Sequence, residues 1–289
     1  MASSEFNNNQ VLFSILVPAY NAERTLARAL DSVMAQTMGC WECIIVDDGS
    51  TDHTGEIASK YVLRDSRFVS VKQANAGTAS ALNKAASLAT GRYLTQLGAD
   101  DEILPQYCEA TADLIKTYLG HSIFASNAWH INLEGKQTPF HLEDDFKQVK
   151  KISLAELIMK PCIYGTAAIC REMFESLGGF SVDSYSEDYD FWLRALATGA
   201  QHVYQPVFLA RFYERVGQKT ASPLIAREAD LSAILNLFDS CDLTSDEKER
   251  ALMRIARLEH DIKIRKTLYS FFGKQLTESV ITTTRKLRS

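Results

Sequence analysis

The sequence predicts an α/β fold: a mostly parallel, doubly wound sheet with helices on both faces, followed by a C-terminal helical extension. Short apolar runs alternate with helical segments over the first 119 residues, which is typical of parallel strands joined by crossover helices. From residue 223 onward, apolar residues recur at helical spacing only. With 289 residues and 46% hydrophobic content, the chain is large enough to bury a sizeable core.

The first predicted strand, residues 13–17, is a short apolar run that ends at Pro18. The helix predicted at 23–36 repeats apolar residues at helical spacing, and Asn21 can serve as its N-cap. A second apolar run at 42–46 predicts the next strand. The crossover between these two strands should be right-handed.

Capping and turn residues separate the remaining elements of the first half. Asp52 or Thr54 can cap a helix that runs to about residue 63. The elements after it are a strand at 68–72, an Ala-rich helix at 77–89 that Gly91 ends, a strand at 92–97, and a helix that Pro105 opens and that runs to about 118.

The pattern changes near residue 120, where strands and helices no longer alternate regularly. The predicted elements are strands at 121–127 and 129–133, a polar loop at 137–145, a short helix at 154–159, a strand at 166–170 with a helix to 177, a helix at 186–198, and strands at 202–204 and 208–213.

The last part of the chain, residues 223–289, is predicted to be a separate helical extension with helices at 225–238, 246–268 and 271–287. Residues 263–289 are rich in Lys and Arg. A basic amphipathic end can contact an anionic membrane, or it can form a packed helical cap or a dimer face. Residues 1–10 are expected to be disordered.

The bulk composition excludes several classes of protein. Lys and Arg number 31 against 36 Asp and Glu, so the net charge of −5 argues against a nucleic-acid partner. No apolar run approaches the roughly 18 residues of a membrane span, and the start lacks the pattern of a signal peptide. We therefore expect a cytoplasmic protein. Cys40 and Cys43 form a CxxC without a second ligand pair, and Cys43 is expected to be a buried thiol.

Three acidic clusters carry most of the functional information. Asp47 and Asp48 follow a strand in IIVDDGSTD, a second pair follows another in LGADDEILP, and a third cluster follows a Gly-Gly turn in SEDYDFWLR. Open α/β sheets bind ligands at the carboxyl ends of their strands. Carboxylates can accept hydrogen bonds from a base and a ribose, but they need a divalent cation to hold a diphosphate. The clusters predict a site for a metal, a sugar nucleotide and a general base.

Structural roles for the same acids stay open. Asp47 and Asp48 can build a turn, because Asp-Gly-Ser segments favour turns. Asp101 can act as an N-cap, and Asp188 can pair with Arg194 across the helix.

Five segments resemble one known family: VPAYNAERTLARALDSVMAQT, WECIIVDDGSTDHT, QANAGTASALNKAASLATGRYL, ADDEILP and GGFSVDSYSEDYDFWLRA. In this order they are similar to family 2 glycosyltransferases, which have the GT-A fold. The resemblance covers residues 13–222, and it implies a GT-A domain at residues 11–222. It implies a nucleotide-binding half at 11–119 and an acceptor-binding half at 120–222.

The resemblance implies an inverting transferase that takes a sugar from a nucleotide-diphospho sugar, with UDP as the expected carrier, to a hydroxyl of a glycan or lipid-linked glycan. It places Asp48 on the base, with Asp47 beside it, and Asp100 on the ribose or the metal. Asp101 is then the other metal ligand, for Mg²⁺ or Mn²⁺. The remaining residues implied to line the nucleotide pocket are Pro18, Ala19, Tyr20, Asn21 and Glu23.

The third cluster matches the part of the family that receives the acceptor. The resemblance makes Asp188 the general base, and such a base typically contributes about 10²–10⁴-fold to the rate. Glu187 and Asp190 would orient the acceptor or the base. Trp192 would supply either core packing or a face for a sugar.

The sequence departs from the family pattern at two positions. Gly98 stands where many members carry the first acid of Asp-x-Asp-Asp, which weakens the expectation of a metal. The late loop RVGQKTAS lacks the usual His, and Arg215 and Lys219 are expected to meet the diphosphate there instead. These departures keep open a non-catalytic relative that binds nucleotide or glycan. A nucleotidyltransferase is disfavoured, because PAYNAERT is neither Gly-rich nor basic, and no motif of a P-loop NTPase or a dinucleotide oxidoreductase follows a strand.

Overall fold

The computed structural model describes residues 11–141, 147–215 and 222–272. The expectations for residues 1–10, for 142–145 of the predicted polar loop, for Lys219 and for residues 273–287 lie outside these ranges. Within them, nine strands form one mixed sheet. The strands are β1 (Phe13–Ala19), β2 (Trp41–Asp47), β3 (Phe68–Lys72), β4 (Tyr93–Gln96), β5 (Glu102–Ile103), β6 (Ile123–Ile131), β7 (Gln137–Pro139), β8 (Ala168–Cys170) and β9 (His202–Tyr213).

The helices agree with most of the predicted positions. They are α1 (Leu26–Met34), α2 (Thr54–Arg64), α3 (Thr78–Leu88), α4 (Tyr107–Thr117), α5 (Leu154–Met159), α6 (Arg171–Ser176), α7 (Glu187–Ala197), α8 (Pro223–Ser240) and α9 (Ser245–Phe272). The expected cap of α1 was wrong, because this helix begins after Thr25 and Asn21 lies four residues earlier, in the loop.

The sheet has a parallel half and a mixed half. Its order is β3-β2-β1-β4-β8-β6-β9-β5, with β7 paired to β6. The first four strands are parallel, as predicted, so their carboxyl ends lie at one edge. Beyond them, β8 runs antiparallel to β4 and β6, β9 runs parallel to β6, and β5 runs antiparallel to β9.

Two strands are longer than the sequence predicts. β6 and β9 are each continuous, where two short strands were expected in each place. The pairing shifts between Ser126 and Ala128 of β6, where Ser126 faces Gln205 and Asn127 faces Phe208. Pro206 lies in the extra part of β9, and a bulge is a position that tolerates proline. Asn127 and Pro206 therefore mark an irregularity within a pair of strands. They do not mark the end of a strand.

The loop predicted at 137–145 also begins with an edge strand, β7, whose residues pair with the end of β6. Its residues Gln137, Thr138 and Pro139 are exposed or partly exposed, so the alternation of apolar and polar residues that signals a strand is missing. The hydrogen-bonded pairing with β6 therefore stabilises this strand, which its own sequence does not predict.

Both faces of the sheet are covered by helices. Ile15 and Val17 of β1 pack with α1, α2 and α4, whereas Leu16 faces the cluster that contains α3, α5 and α7. Successive residues of a strand point to opposite faces, so β1 contributes to both cores. Cys43 belongs to the first of these cores, and burial raises the pKa of its thiol well above the usual value, as expected of an inert thiol.

The C-terminal helices pack onto the same domain. Leu237 of α8 and Leu258 of α9 join the core cluster that contains Leu157 and Leu193 of α5 and α7. A mostly buried ion pair links Arg254 to Asp230 at 3.2 Å. In the described ranges, no helix has both the length and the apolar character required to cross a bilayer.

Candidate active site

Two adjoining clefts open at the carboxyl ends of β1, β2 and β4, with volumes of about 200 Å³ and about 300 Å³. The first cleft is lined by Pro18, Ala19, Tyr20, Ala22, Asp48, Thr78, Ala81, Gln96, Gly98, Ala99, Asp100 and Arg215. The second cleft is lined by Gln96, Gly98, Asp101, His130, Phe140, Tyr164, Gly165, Thr166, Asp188, Phe212, Tyr213 and Glu214. Gln96 and Gly98 belong to both, so the clefts meet just beyond β4. The structure thus brings acids of all three clusters to one region.

Asp48 lies on the wall of the first cleft and is almost fully buried. Its Oδ1 accepts hydrogen bonds from the side-chain amide of Gln73 at 2.8 Å and from the backbone N–H of Ala76 at 2.9 Å, and its Oδ2 accepts from the N–H of Gly77 at 2.9 Å. A carboxylate has about four acceptor sites. Asp48 therefore holds the loop before α3 in place and keeps capacity for one more donor.

Asp47 has a different role from its neighbour. Its Oδ1 accepts from the N–H of Ser50 at 2.8 Å, and its Oδ2 forms an ion pair with Lys72 at 3.4 Å. It lines neither of the two clefts. Asp47 is the last residue of β2, and its carboxylate holds the turn that follows, which is the structural alternative that the sequence leaves open.

Asn21 and Glu23 tie the loop after β1 to the loop after β2. Asn21 has a φ of 47°, its N–H donates to Ser50 Oγ at 3.0 Å, and its side-chain oxygen accepts from the N–H of Thr51 at 3.0 Å. The carboxylate of Glu23 accepts from the N–H of His53 at 3.2 Å. Neither residue lines the first cleft, and their hydrogen bonds hold the two loops together.

Tyr20 is the aromatic residue of the first cleft. Its side chain is 54% exposed, although Pro18 and Ala19 beside it are mostly buried. This exposure excludes a core-packing role for Tyr20. The ring is available for a planar group that enters the cleft.

Gly98 is packed against the second acidic cluster. A Cβ atom at this position would lie 2.8 Å from Oδ1 of Asp100 and 2.7 Å from Oδ2 of Asp101. Real Cβ contacts are longer than this, so any side chain here would displace the two carboxylates. Glycine at this position therefore leaves the space that the carboxylates of Asp100 and Asp101 occupy.

Asp100 lines the first cleft and Asp101 lines the second, and both carboxylates lie against Gly98 where the clefts meet. Oδ2 of Asp100 lies 2.6 Å from Nε of Arg215 in the first cleft, and the carbonyl of Asp100 accepts from Arg28. Oδ1 of Asp101 accepts from the N–H of Tyr213 at 3.0 Å in the second cleft. Burial, and then the charge of Asp100, raise the pKa of Asp101 to about 8.

The donor set suits a cation that arrives together with a phosphate. Mg²⁺ usually binds through one or two carboxylates plus the phosphates of its substrate and keeps several waters. Asp100 and Asp101 supply two carboxylates that converge over Gly98. Over the ranges that the structure describes, no group of three or more His, Cys, Asp or Glu could hold a metal alone. The acids therefore fit a shared site and not a closed protein cage.

Asp188 lies in the first turn of α7 and reaches the second cleft. Its Oδ1 accepts from the N–H of Tyr189 at 2.7 Å. A helix N-terminus favours a negative charge, so a carboxylate suits this position. Asp188 is half-buried, so it can contact a ligand in the cleft.

The other members of the third cluster do not line the second cleft. Glu187 lines a separate depression of about 250 Å³ beside the start of α3. Asp190 is buried and pairs with Arg194 at 2.9 Å, and that guanidinium also donates to the carbonyls of Leu177 and Gly179 at 2.9 and 2.8 Å. Asp190 thus anchors the Gly-Gly turn, and an acceptor contact by its carboxylate is not supported.

Trp192 cannot serve as a sugar platform in this structure. Its side chain is 0% exposed and packs in the core against Phe191, with ring centroids 5.3 Å apart. The packing alternative applies, because α7 turns this position away from the cleft and into the sheet.

The sequence did not identify the aromatic side of the second cleft. Phe140, Tyr164 and Phe212 line it, together with His130. They come from β6, from β9 and from loops that are distant in sequence, so no spacing could reveal them. Gln96 was missed for a related reason: it reads as an interior strand residue, although the strand ends there and its side chain faces both clefts.

The parallel strands β1–β4, the antiparallel β8 and the acid-lined clefts at their carboxyl edge define a GT-A fold with a C-terminal helical addition. The family model for Glycosyl transferase family 2 matches residues 14–178, and the chain belongs to this family. The predicted family and fold class are thereby confirmed.

The relatives and structural neighbours agree with this assignment. The chain is 34% identical over 132 residues to Glycosyltransferase GlyA of Streptococcus pneumoniae. This matched segment covers 46% of this chain but only 19% of that protein. The crystal structure of S. aureus TarS 1-349 in complex with UDP-GlcNAc aligns with a TM-score of 0.73 and 20% identity over 92% of this chain and 77% of that one. The mannosyltransferase PcManGT from Pyrobaculum calidifontis, in complex with GDP-Man and Mn2+, aligns with a TM-score of 0.67 and 16% identity over 96% and 80%.

Proposed function

We propose that this chain is an inverting glycosyltransferase that moves a sugar from a UDP-sugar to a hydroxyl of a glycan or lipid-linked glycan. One observation carries the proposal: Asp48, Asp100 and Asp188 come from three distant segments and line two clefts that meet at Gln96 and Gly98. A donor in the first cleft and an acceptor in the second would meet at that junction. Family membership supports the type of reaction.

The first cleft offers the groups that a nucleotide needs. The exposed ring of Tyr20 can stack on the base, and the remaining acceptor capacity of Asp48 suits a base N–H. Arg215 lies at the same cleft as a cationic partner for the diphosphate. Lys219, outside the described residues, stays a prediction. The bound UDP-GlcNAc and GDP-Man of the two structural neighbours support a nucleotide-sugar donor.

Asp100 and Asp101 would hold Mg²⁺ or Mn²⁺ together with the diphosphate. When bound, such a cation stabilises the negative charge that develops on the leaving diphosphate. The Mn2+ of PcManGT supports this choice of metal. Arg215 adds a second positive group on the side of the first cleft.

Asp188 would act as the general base. Its carboxylate takes the proton of an acceptor hydroxyl in the second cleft, and the hydroxyl oxygen bonds to the anomeric carbon as the bond to the diphosphate breaks. The acceptor arrives from the second cleft and the diphosphate leaves through the first, on the opposite side of the junction. Attack and departure on opposite faces invert the configuration at that carbon.

The donor is tested by thermal shift with UDP-, GDP- and dTDP-sugars, each with and without Mn²⁺. A ligand that binds only the folded state raises the melting temperature according to its occupancy. We expect the UDP-sugars to give the largest shift, and the shift to require the metal. A shift with GDP- or dTDP-sugars alone would reject the UDP carrier.

The base is tested with Asp188→Asn, with Asp113→Asn on the exposed surface of α4 as the matched control. The first variant should lose about 10²–10⁴-fold in transfer and keep its UDP affinity, because only proton removal is affected. The control should retain both. Transfer at the normal rate by Asp188→Asn would reject this assignment.

A non-catalytic nucleotide-binding relative is the second candidate. The observation in its favour is the absence of a metal cluster over the part of the chain that the structure describes, with Gly98 in the place of an acid. Tight, metal-independent UDP binding with no turnover of any donor would favour it.

A further inference from the structure

The second cleft has an aromatic wall, which we define as Phe140, Tyr164 and Phe212. The ring centroids of Phe140 and Tyr164 are 3.9 Å apart, those of Phe140 and Phe212 are 5.5 Å apart, and those of Tyr164 and Phe212 are 6.1 Å apart. All three side chains are half-buried. Three partly exposed rings in one cleft form a continuous apolar surface beside Asp188.

The aromatic wall is held by the sheet. Phe212 lies on β9 and pairs with His130 on β6, whose ring centroid is 6.2 Å from that of Phe140. The N–H of Phe140 donates to the carbonyl of Ala128 at 2.8 Å. The buried side chain of Asn127 accepts from the N–H of His141 at 3.2 Å and fixes the next residue. The rings are therefore positioned before any ligand arrives, which reduces the entropy cost of binding.

The remaining polar groups of the second cleft are acidic or neutral. Asp101, Asp188 and Glu214 contribute carboxyl groups, and among the described residues that line the cleft there is neither Lys nor Arg. Apart from the cation proposed at Asp101, which the donor diphosphate would share, a phosphate-bearing acceptor would meet these acids without a positively charged side chain among the described lining residues. A neutral polyol ring would instead donate its hydroxyls to the carboxylates.

We propose that the second cleft binds the terminal pyranose ring of an uncharged glycan, with the apolar C–H face of that ring against the aromatic wall and a hydroxyl at Asp188. The negative face of an aromatic ring attracts the weakly positive C–H groups of a sugar. The same chemistry of the described lining residues disfavours acceptors built of polyol phosphate. The inference rests on the proposed function, because it names the acceptor class of the same site.

The test measures binding of small probes by saturation-transfer NMR, with and without UDP and Mn²⁺. The neutral probes are p-nitrophenyl α- and β-glycosides of glucose, galactose and N-acetylglucosamine, and the anionic probes are glycerol 3-phosphate and ribitol 5-phosphate. We expect at least one neutral glycoside and neither phosphate to bind. The proposal is overturned if no neutral glycoside binds, whether or not a phosphate probe binds.

Two variants locate the binding, Phe140→Leu and Phe212→Leu, which keep the apolar volume but remove the ring face. Each should weaken the neutral glycoside by roughly tenfold and leave UDP affinity unchanged. Phe208→Leu is the matched control, because it lies on the same strand β9 and also packs on a ring, that of Trp129 at 3.9 Å, but does not line the second cleft. Unchanged glycoside affinity in both wall variants would overturn the proposal.

UDP binding separates this proposal from the proposed function. If UDP binds and the glycosides do not, only the acceptor class is wrong. If UDP does not bind, the proposed function fails. The glycoside measurement without nucleotide then still tests whether the aromatic wall binds a sugar ring. A normal melting temperature and normal UDP affinity show that each variant is folded, and two wall variants ensure that one misfolded protein does not prevent the test.

Discussion

The guanidinium of Arg215 lies 2.6 Å from the carboxylate of Asp100, measured between Nε and Oδ2. This ion pair occupies the carboxylate that we propose for the metal. The same guanidinium lines the cleft in which the diphosphate would lie. Cation and arginine therefore compete for Asp100 until a phosphate offers Arg215 another partner. Metal binding and nucleotide binding should then be coupled.

Arg215→Gln should shift the two affinities in opposite directions. Mn²⁺ alone should bind a few-fold more tightly because the competitor is gone, whereas UDP should bind roughly tenfold more weakly because one charged contact is lost. Mn²⁺ affinity is measured by electron paramagnetic resonance without nucleotide, and UDP affinity by calorimetry. Arg250→Gln, which breaks the exposed pair with Asp246, should change neither. Loss of both affinities in Arg215→Gln would contradict the coupling.

Gly98→Ala should damage the site although it adds only one methyl group. The new Cβ would lie within 2.8 Å of a carboxylate oxygen of both Asp100 and Asp101, so both side chains must move. We expect at least tenfold weaker binding of UDP with Mn²⁺ by calorimetry and a loss of about 1–3 kcal/mol in the free energy of unfolding. At Gly39 the same substitution would give an ordinary 3.6 Å contact, so Gly39→Ala should leave UDP affinity intact. Tighter metal binding in Gly98→Asp would show that the site lacks an acid.

Asp190→Asn should destabilise the fold without altering the chemistry. The buried carboxylate pairs with Arg194, which in turn holds the carbonyls of Leu177 and Gly179. Breaking a buried pair leaves its partner uncompensated, so we expect a loss of about 2–3 kcal/mol in urea unfolding. UDP affinity should stay normal. A raised acceptor KM at unchanged stability would instead restore the acceptor role that the sequence suggested for Asp190.

Stability should fall in mild acid because of His202. The imidazole is buried, and burial, followed by the charge of nearby His121, lowers its pKa to about 3. Smaller influences come from Glu156, which raises the pKa, and from Lys150 and His141, which lower it. An unfolded His has a pKa near 6.5, so below about pH 6.5 the unfolded chain binds a proton that the folded chain refuses. The cost approaches about 1.4 kcal/mol per pH unit until the folded pKa is reached.

His202→Leu removes this titration and replaces the buried imidazole with an apolar side chain of similar size. Urea unfolding at pH 7.5, 6 and 5 should show a shallower loss of stability in the variant than in the wild type. The difference between the two curves isolates His202, because carboxylates titrate in both proteins. Parallel curves would show that the pKa of His202 is the same in the folded and the unfolded state.

Periodicity predicted the parallel half of the sheet because its central strands are short, mostly apolar runs, as in residues 42–46 of β2. It failed at β6 and β9, where Asn127 and Pro206 interrupt the pattern but the chain stays in the sheet through a bulge. Local sequence cannot distinguish a bulge from a strand end, since the difference lies in the partner strand.

The locations of the acids that follow strands could be predicted from the sequence, because the end of a parallel strand fixes where its next residues lie, whereas their roles stay predictions. Asp48, Asp100 and Asp101 all reach the clefts for this reason. The residues around α7 were harder, because a helix distributes neighbours around its axis: Asp188 faces the second cleft, whereas Asp190 and Trp192 face the protein. The aromatic wall was invisible, since tertiary folding alone brings its rings together.

The junction at Gln96 and Gly98 has a consequence for redesign. A substitution there would reshape both clefts at once, so under the proposed function a change of donor sugar made at this point would also disturb the incoming alcohol. Selectivity for one substrate alone has to be altered at the outer ends, near Tyr20 on one side and near Phe140 on the other.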